Sequence, residues 1–148
     1  MQILSMTTFK ETKFVSGGAI HKLCVSSFGR DLKDWNGVFG KNAQWWALFP
    51  CDTPDGASPE PYAVCTTGLH FDKMAIFNLC VGDKHRRKGY GRRLLSQIVE
   101  KFGSDYTLFL FVDKTNRPAI SLYRSFGFFF TMDLFVPPQG EICMKREN

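Results

Sequence analysis

Apolar residues in the second half of the chain recur at two distinct periods. Leu94, Leu95, Ile98, Val99 and Phe102 fall at i, i+1, i+4, i+5 and i+8, which predicts a helix over residues 90–102 with one apolar stripe. Ala119, Leu122, Tyr123 and Phe126 form a second stripe in residues 116–126, with Asn116 placed as a cap, Pro118 in the first turn and Gly127 at the C′ position. Between these helices, TLFLFV at 107–112 is a continuous apolar run, the pattern of a strand covered on both faces. KMAIFNLCV at 73–81 predicts a strand before the first of the two helices, and residues 127–132 and 141–145 predict two more after the second. The first half is less regular. Residues 2–9 read as a strand, 19–32 as a helix carrying Ile20, Leu23, Cys24 and Phe28, and 34–42 as a short helix or turn. Residues 44–49 and 61–66 read as strands, joined by the proline-rich loop 51–60.

The order is strand, helices, strands, helix, strand, helix, two strands, an α/β chain without an internal repeat or linker. Its length of 148 residues fits one domain, 1–148. The unit from 73 to 112 reads as a βαβ crossover, right-handed almost by rule, which puts residues 82–89 at the carboxyl end of its first strand. Ligands of open α/β sheets bind there.

Composition is that of a globular protein, 44% hydrophobic and 22% charged, which sets aside disorder and low complexity. The net charge of +5 would on its own point to a polyanionic partner. Its location changes that picture. Lys84, Arg86, Arg87, Lys88, Arg92 and Arg93 stand together with no acid among them; without these six, 13 of the 19 bases remain against 14 acids, a charge of −1. The five cysteines (Cys24, Cys51, Cys65, Cys80 and Cys143) are odd in number and irregularly spaced, which argues against a disulfide framework and for a reducing compartment. His21 and Cys24 lie three apart, but no second pair stands at zinc spacing, so no metal is expected. Residues 1–13 lack a charged segment followed by an apolar run, and no stretch approaches a membrane span. The expectation is a soluble cytoplasmic protein, monomer or homodimer, without membrane or nucleic-acid partners.

The basic loop has a chemical logic. In Arg86-Arg87-Lys88-Gly89-Tyr90-Gly91 two glycines let the backbone turn its N–H groups outward, the helix start adds partial positive charge, and the flanking cations add full charge. A pyrophosphate suits such a cradle. The loop is no P-loop, since GxxxxGK[ST] is absent, and no dinucleotide fingerprint, since the third glycine would fall at Leu94.

Leu79-Cys80-Val81 followed by Arg86-x-x-Gly89-x-Gly91 closely resembles the acetyl-CoA motif of the Gcn5-related N-acetyltransferases, the GNAT family. Asn116, Ala119, Leu122-Tyr123 and Gly127-Phe128 match that family's second signature at every one of those positions. The resemblance covers residues 74–130. It implies a mixed, mostly antiparallel sheet with a splayed parallel strand pair flanked by helices, and acetyl-CoA as cosubstrate. Main-chain groups of Leu79, Cys80 and Val81 would pair with the pantetheine arm. N–H groups from Arg86 through Gly91, with Arg92 beside them, would hold the pyrophosphate. Asn116 matches a contact to the cofactor arm, although its position serves a plain helix cap equally. Tyr123 matches the general acid that protonates the departing thiolate; a tyrosine on an apolar stripe is otherwise a core residue. Asp83 departs from the family, which commonly has proline there.

The resemblance also exposes a gap. Relatives commonly place a Glu or His base on the strand before the loop, where this chain has Ala75 and Phe77. At pH 7 a lysine-like amine of pKa about 10.4 is neutral in roughly one molecule in two thousand, a cost of about 4.6 kcal/mol, against about 1 kcal/mol for an α-amine near 7.8. His70 and Asp72 precede the strand. A water relay or a low-pKa acceptor would close the gap. Three features bear on the acceptor: the acidic loop with Asp52, Asp55 and Glu60, the apolar segment LFVPP at 134–138 as a hydrophobic lid, and Trp35, Trp45 and Trp46 as core or aromatic pocket. The expected activity is direct acetyl transfer to a primary amine of a small molecule, polyamine, lysine or N-terminus. Cys80 as an acyl carrier is less attractive, since no His or Asn adjoins it in sequence. The competing classes are a non-catalytic acyl-CoA-binding module and nucleic-acid binding through the six bases.

Overall fold

The computed structural model describes residues 2–6, 43–49 and 61–148. The predicted helix at 19–32, the segment 34–42, the acidic loop 51–60, the end of the first predicted strand, and His21, Cys24, Trp35 and Cys51 lie outside the described residues.

Seven strands form one sheet: β1 (Gln2–Met6), β2 (Ala43–Phe49), β3 (Ala63–His70), β4 (Lys73–Val81), β5 (Thr107–Asp113), β6 (Phe129–Thr131) and β7 (Glu141–Arg146), in the order β1-β2-β3-β4-β5-β7-β6. Every neighbouring pair is antiparallel except β4 and β5. Two helices, α1 (Tyr90–Phe102) and α2 (Arg117–Ser125), follow β4 and β5. The mixed, mostly antiparallel sheet is the one the resemblance implied. β4 and α1 have their predicted bounds. β3 runs on to His70 because Phe71 and Asp72 make a tight turn that carries no glycine or asparagine to announce it; Phe71 itself takes the left-handed conformation, φ 56°. β6 is shorter than predicted because Gly127, at φ +88°, still belongs to the end of α2.

Two irregularities in β4 shape the site. Its parallel pairing with β5 covers only Lys73, Met74 and Ala75, opposite Thr107, Leu108 and Phe109; beyond these the strands part. On its other side the register with β3 moves from Thr66↔Phe77 to Val64↔Cys80, so β4 holds one residue more than β3 between these pairs, at Asn78 and Leu79. A bulge of this kind bends the strand and leaves main-chain groups without ladder partners.

The apolar stripe of α1 explains its docking. Leu94, Leu95 and Ile98 are fully buried and pack with Trp46, Leu48, Met74, Ile76, Leu108, Leu110 and Met144 on one face of the sheet. Each such burial stabilises by about 1.5–3 kcal/mol. Trp45 and Trp46 are both buried, and the Trp46 indole N–H donates to Thr67 Oγ1 at 2.9 Å, so these two belong to the core. Arg146 braces the ends of both helices, its Nε donating to Phe126 O at 2.9 Å and its Nη1 to Gly103 O at 3.4 Å. Because these bonds pair a cation with the negative ends of two helix dipoles, Arg146→Ala is expected to cost about 2 kcal/mol and to lower Tm by roughly 5 °C in a thermal melt.

Candidate functional site

The site assembles where β4 and β5 part. Gly82 continues β4 into a short 3-10 turn, Asp83–His85, after which the chain reverses through Arg86–Gly89 into α1. Two residues of this reversal take left-handed backbone, Arg87 at φ 62° and Gly89 at φ +81°. An alternation of this kind turns successive N–H groups toward one side and makes an anion-binding concavity. The first intrahelical bond of α1 runs from Arg93 N to Gly89 O at 3.0 Å, so the N–H groups of Tyr90, Gly91 and Arg92 emerge from the helix start. Gly91 sits at a close approach: a Cβ there would stand 3.2 Å from Val81 Cγ2, where α1 meets the end of β4, so a side chain would have to push that methyl aside.

Aromatic rings hold this loop in place. Tyr90 stacks on Tyr62 with centroids 4.1 Å apart and planes 10° from parallel, and His85 meets Tyr62 edge-on at 4.7 Å. Tyr62 also accepts from Gly82 N through its carbonyl at 3.1 Å. Neither Tyr62 nor His85 was legible as a site residue; the only signal was an aromatic residue at the first position of α1.

The cations of the loop divide into two groups. Arg86 is tied down, its guanidinium 3.0 Å from Asp83 Oδ1 and its Nε 3.4 Å from Val81 O. Asp83, the departure from the family pattern, therefore neutralises one arginine and leaves the others to the ligand. Lys88, Arg92 and Arg93 line an open cleft of about 610 Å³ together with Gly89, Tyr90 and Phe126. Arg92 bridges the two helices, 5.4 Å above the Phe126 ring and donating to Ser125 Oγ at 3.1 Å.

α2 brings the second set of groups. Asp113 Oδ1 accepts from Thr115 N at 2.8 Å and from Thr115 Oγ1 at 2.7 Å, bonds that hold the Asp113 carboxyl below its ordinary range and turn the chain out of β5. Asn116 then caps α2, its Oδ1 accepting from Ala119 N at 3.3 Å. The cap uses the side-chain oxygen and leaves the amide nitrogen for other partners. Tyr123 faces the sheet and is buried, with burial first and the neighbouring Cys65 second pushing its hydroxyl up to about 12. Among the described residues no hydrogen bond reaches that hydroxyl. Cys80 is buried on the strand face opposite Leu79 and Val81, which border the helix-side core. Burial also pushes up the Cys65 thiol, so it is no ready nucleophile.

The two candidate bases stand apart from this assembly. His70 pairs with Lys73 at the start of β4, five residues before the bulge begins at Asn78, a separation of roughly 16 Å along the strand. Asp72 is exposed and bound to Lys73 at 3.0 Å; that hydrogen bond, then its own backbone N–H and the lysine charge, lower its carboxyl.

The ladder between β4 and β5 ends at Ala75, the start of α1 offers three N–H groups, and Gly91 lets α1 approach Val81 closely at the end of β4.

Comparison with known proteins places this arrangement in context. Residues 46–128 match the acetyltransferase (GNAT) family. The ribosomal protein bS18-alanine N-acetyltransferase of Escherichia coli (strain K12) is 35% identical over 68 residues, 45% of this chain and 46% of that protein. The match therefore spans about half the length of that curated relative. The crystal structure of the ribosomal-protein-S18-alanine N-acetyltransferase from Escherichia coli has a TM-score of 0.71 at 22% identity, covering 98% of this chain and 93% of that one. Arabidopsis thaliana NAA60, in complex with a bisubstrate analogue, has a TM-score of 0.68 at 17% identity over 98% of both chains. At these identities the two structures show a shared fold.

Proposed function

The chain belongs to the GNAT family of acetyltransferases, whose cosubstrate is acetyl-CoA, and from that premise we propose that it transfers acetyl directly to the α-amine of a peptide or protein N-terminus. The observation that carries this reading is the parting of β4 from β5 after Ala75, beside the N–H cradle of α1 and with Tyr123 packed beneath. Acetyl-CoA supplies an acyl group activated as a thioester, whose transfer to an amine releases the thiol. Leu79, Cys80 and Val81 would bind its pantetheine arm through main-chain groups beyond the ladder with β5, with the Val81 carbonyl shared with Arg86 Nε. N–H groups from Arg86 to Gly91, with Lys88 and Arg92 beside them, would hold the pyrophosphate, and the amide of Asn116 would reach the arm from the α2 side. N–H groups at the Asn78–Leu79 bulge stabilise the charge that develops on the carbonyl oxygen.

Tyr123 acts at the departing sulfur. Its hydroxyl, at about 12, binds its proton more tightly than an ordinary thiol of about 8.5. It therefore works first as a hydrogen-bond donor to the developing thiolate, and net protonation of sulfur draws on the proton that the amine releases. No carboxylate or imidazole stands at Ala75 or Phe77 to collect that proton, and His70 and Asp72 lie at the β3–β4 turn, at the end of β4 opposite the bulge. An α-amine, which loses its proton at a cost of about 1 kcal/mol at pH 7 rather than about 4.6 kcal/mol, needs only a water relay. The name of the Escherichia coli relative, an alanine N-acetyltransferase, supports this reading. No helix among the described residues is long and apolar enough to cross a membrane, and a cytoplasmic monomer or homodimer of one domain is the setting we assign.

The reading is tested by thiol release from acetyl-CoA with N-terminal peptides, their α-blocked and lysine-only counterparts, and polyamines. Release with free α-amines alone, unaffected by added nucleic acid, is the expected result. Acetyl-CoA binding without release in any arm would make the protein a binding module.

A further inference from the structure

Side chains alternate along a strand, so Ala75, Phe109 and Phe111 lie on the face of the sheet opposite Met74, Ile76, Leu108 and Leu110, which belong to the core under α1 and α2. That second face carries a continuous run of rings. Phe135, from the loop between β6 and β7, stands 4.7 Å from Phe109, 6.4 Å from Phe111 and 5.2 Å from His70, centroid to centroid. His70 in turn meets Phe71 at 4.8 Å. Phe109 is the last β5 residue paired with β4, and Phe111 lies two residues further, where the strands have parted. The run thus extends from the opening between β4 and β5 to the β3–β4 turn.

Phe109 is buried and Phe135 half-buried, but packing does not account for the two ends of the run. Phe111 is 36% exposed and Phe71 88%, so much of their apolar area faces water. Phe71 also holds φ 56°, a conformation that costs a bulky residue roughly 1–3 kcal/mol, without burial to offset it. Charge narrows the possible ligand. Lys145 pairs with Glu147 at 2.9 Å and Lys73 with Asp72 at 3.0 Å, and the carboxylate next along this face of β5, Asp113, already accepts two hydrogen bonds from Thr115. Among the described residues α1 and α2 cover the first face and carry the cofactor loop, which leaves the second face as the side for an acceptor.

Resting on the α-amine reading above, we propose that this aromatic run sets acceptor specificity: the residue that bears the reactive amine carries an aromatic or large apolar side chain, seated against Phe111 and Phe135. Ring centroids 4.5–7 Å apart are the spacing in which a further ring joins edge-on or offset. Small first residues leave the rings wet, and polyamines or a first lysine bring a charge with no partner. The preference differs from the alanine named for the Escherichia coli relative.

The test compares five peptides identical after the first residue, beginning with Phe, Leu, Ala, Lys and Asp, by thiol release at saturating acetyl-CoA. The Phe peptide is expected to exceed the Ala peptide in kcat/KM by roughly 100-fold, with Leu between them and Lys and Asp at or below Ala. Phe135→Ala brings the Phe-to-Ala ratio toward one by raising the acceptor KM, with no change in the KM for acetyl-CoA, and Phe135→Leu falls between. An Ala peptide as good as the Phe peptide overturns the inference and leaves the α-amine reading standing. A Phe preference that survives Phe135→Ala overturns the assigned surface. Silence with all five peptides overturns the α-amine reading, and the inference with it.

Discussion

Replacing Tyr123 by phenylalanine is expected to lower kcat by roughly 100-fold and to leave the Kd for acetyl-CoA within about twofold. The substitution removes one hydroxyl from a ring that otherwise keeps its place against Phe128, 6.0 Å away, and in the core under the sheet. Because that hydroxyl makes no hydrogen bond among the described residues, its loss strands no buried partner and stability should hold or rise slightly. A purely structural tyrosine would therefore leave turnover intact. The pH dependence adds a second readout. With its hydroxyl pushed up to about 12, Tyr123 stays protonated across the neutral and mildly alkaline range, so kcat should show no descending limb from this group below pH 10. Its folded value lies above the ordinary 10, so its share of stability is complete below pH 10 and is lost as the pH climbs toward 12. In Tyr123→Phe that alkaline loss disappears.

Gly89→Val weakens acetyl-CoA binding by roughly 10- to 100-fold in a calorimetric titration while kcat at saturation changes by no more than a few fold. At φ +81° glycine is at ease, whereas a side chain in the left-handed region costs about 1–2 kcal/mol and a β-branched one more. The loop can escape only by rotating its peptide planes, which turns the N–H groups of the cradle away from the phosphate. Gly89→Ala is the control. An added Cβ there meets nothing within 4 Å, so its effect is confined to backbone strain and should be several-fold smaller. An unchanged Kd in the valine variant would place the pyrophosphate away from the Arg86–Gly91 loop.

Much of this site could be read from the chain because its signals are local. α1 carries its stripe, its glycines and its cations within residues 88–102, and Asn116, Pro118 and Gly127 announce both ends of α2 in the same way. What stayed hidden depends on contacts between distant residues. Tyr62 and Tyr90 are 28 positions apart and stack only because β3 and α1 meet at the end of β4. Phe135 lies 26 positions from Phe109, and an apolar LFVPP loop told of a lid without telling which strand it touches. The bulge in β4 had no signature at all, since KMAIFNLCV reads as an unbroken strand; its position emerges only from the register with β3. Asp83 looked like an intrusion of negative charge at a phosphate site. Its pairing with Arg86 is specific to a 3-10 turn that brings residues three apart together.

The absent base was legible as an absence, and the structure sharpens what it means. Ala75 is buried and Phe77 half-buried, and the titratable candidates His70 and Asp72 sit at the β3–β4 turn, at the end of β4 opposite the bulge. In the proposed mechanism catalysis then rests on Tyr123, the bulge and the low pKa of the acceptor itself.

The central claim is direct transfer of acetyl from acetyl-CoA to an amine, and intact-mass spectrometry of the protein and a Phe-first peptide incubated with acetyl-CoA tests it most directly. The account predicts one acetyl group on the peptide α-amine for each thiol released, with the protein mass unchanged throughout, Cys80 included. An acetylated protein that passes its acetyl group to the peptide, or acetyl-CoA bound with the peptide unmodified, would contradict it.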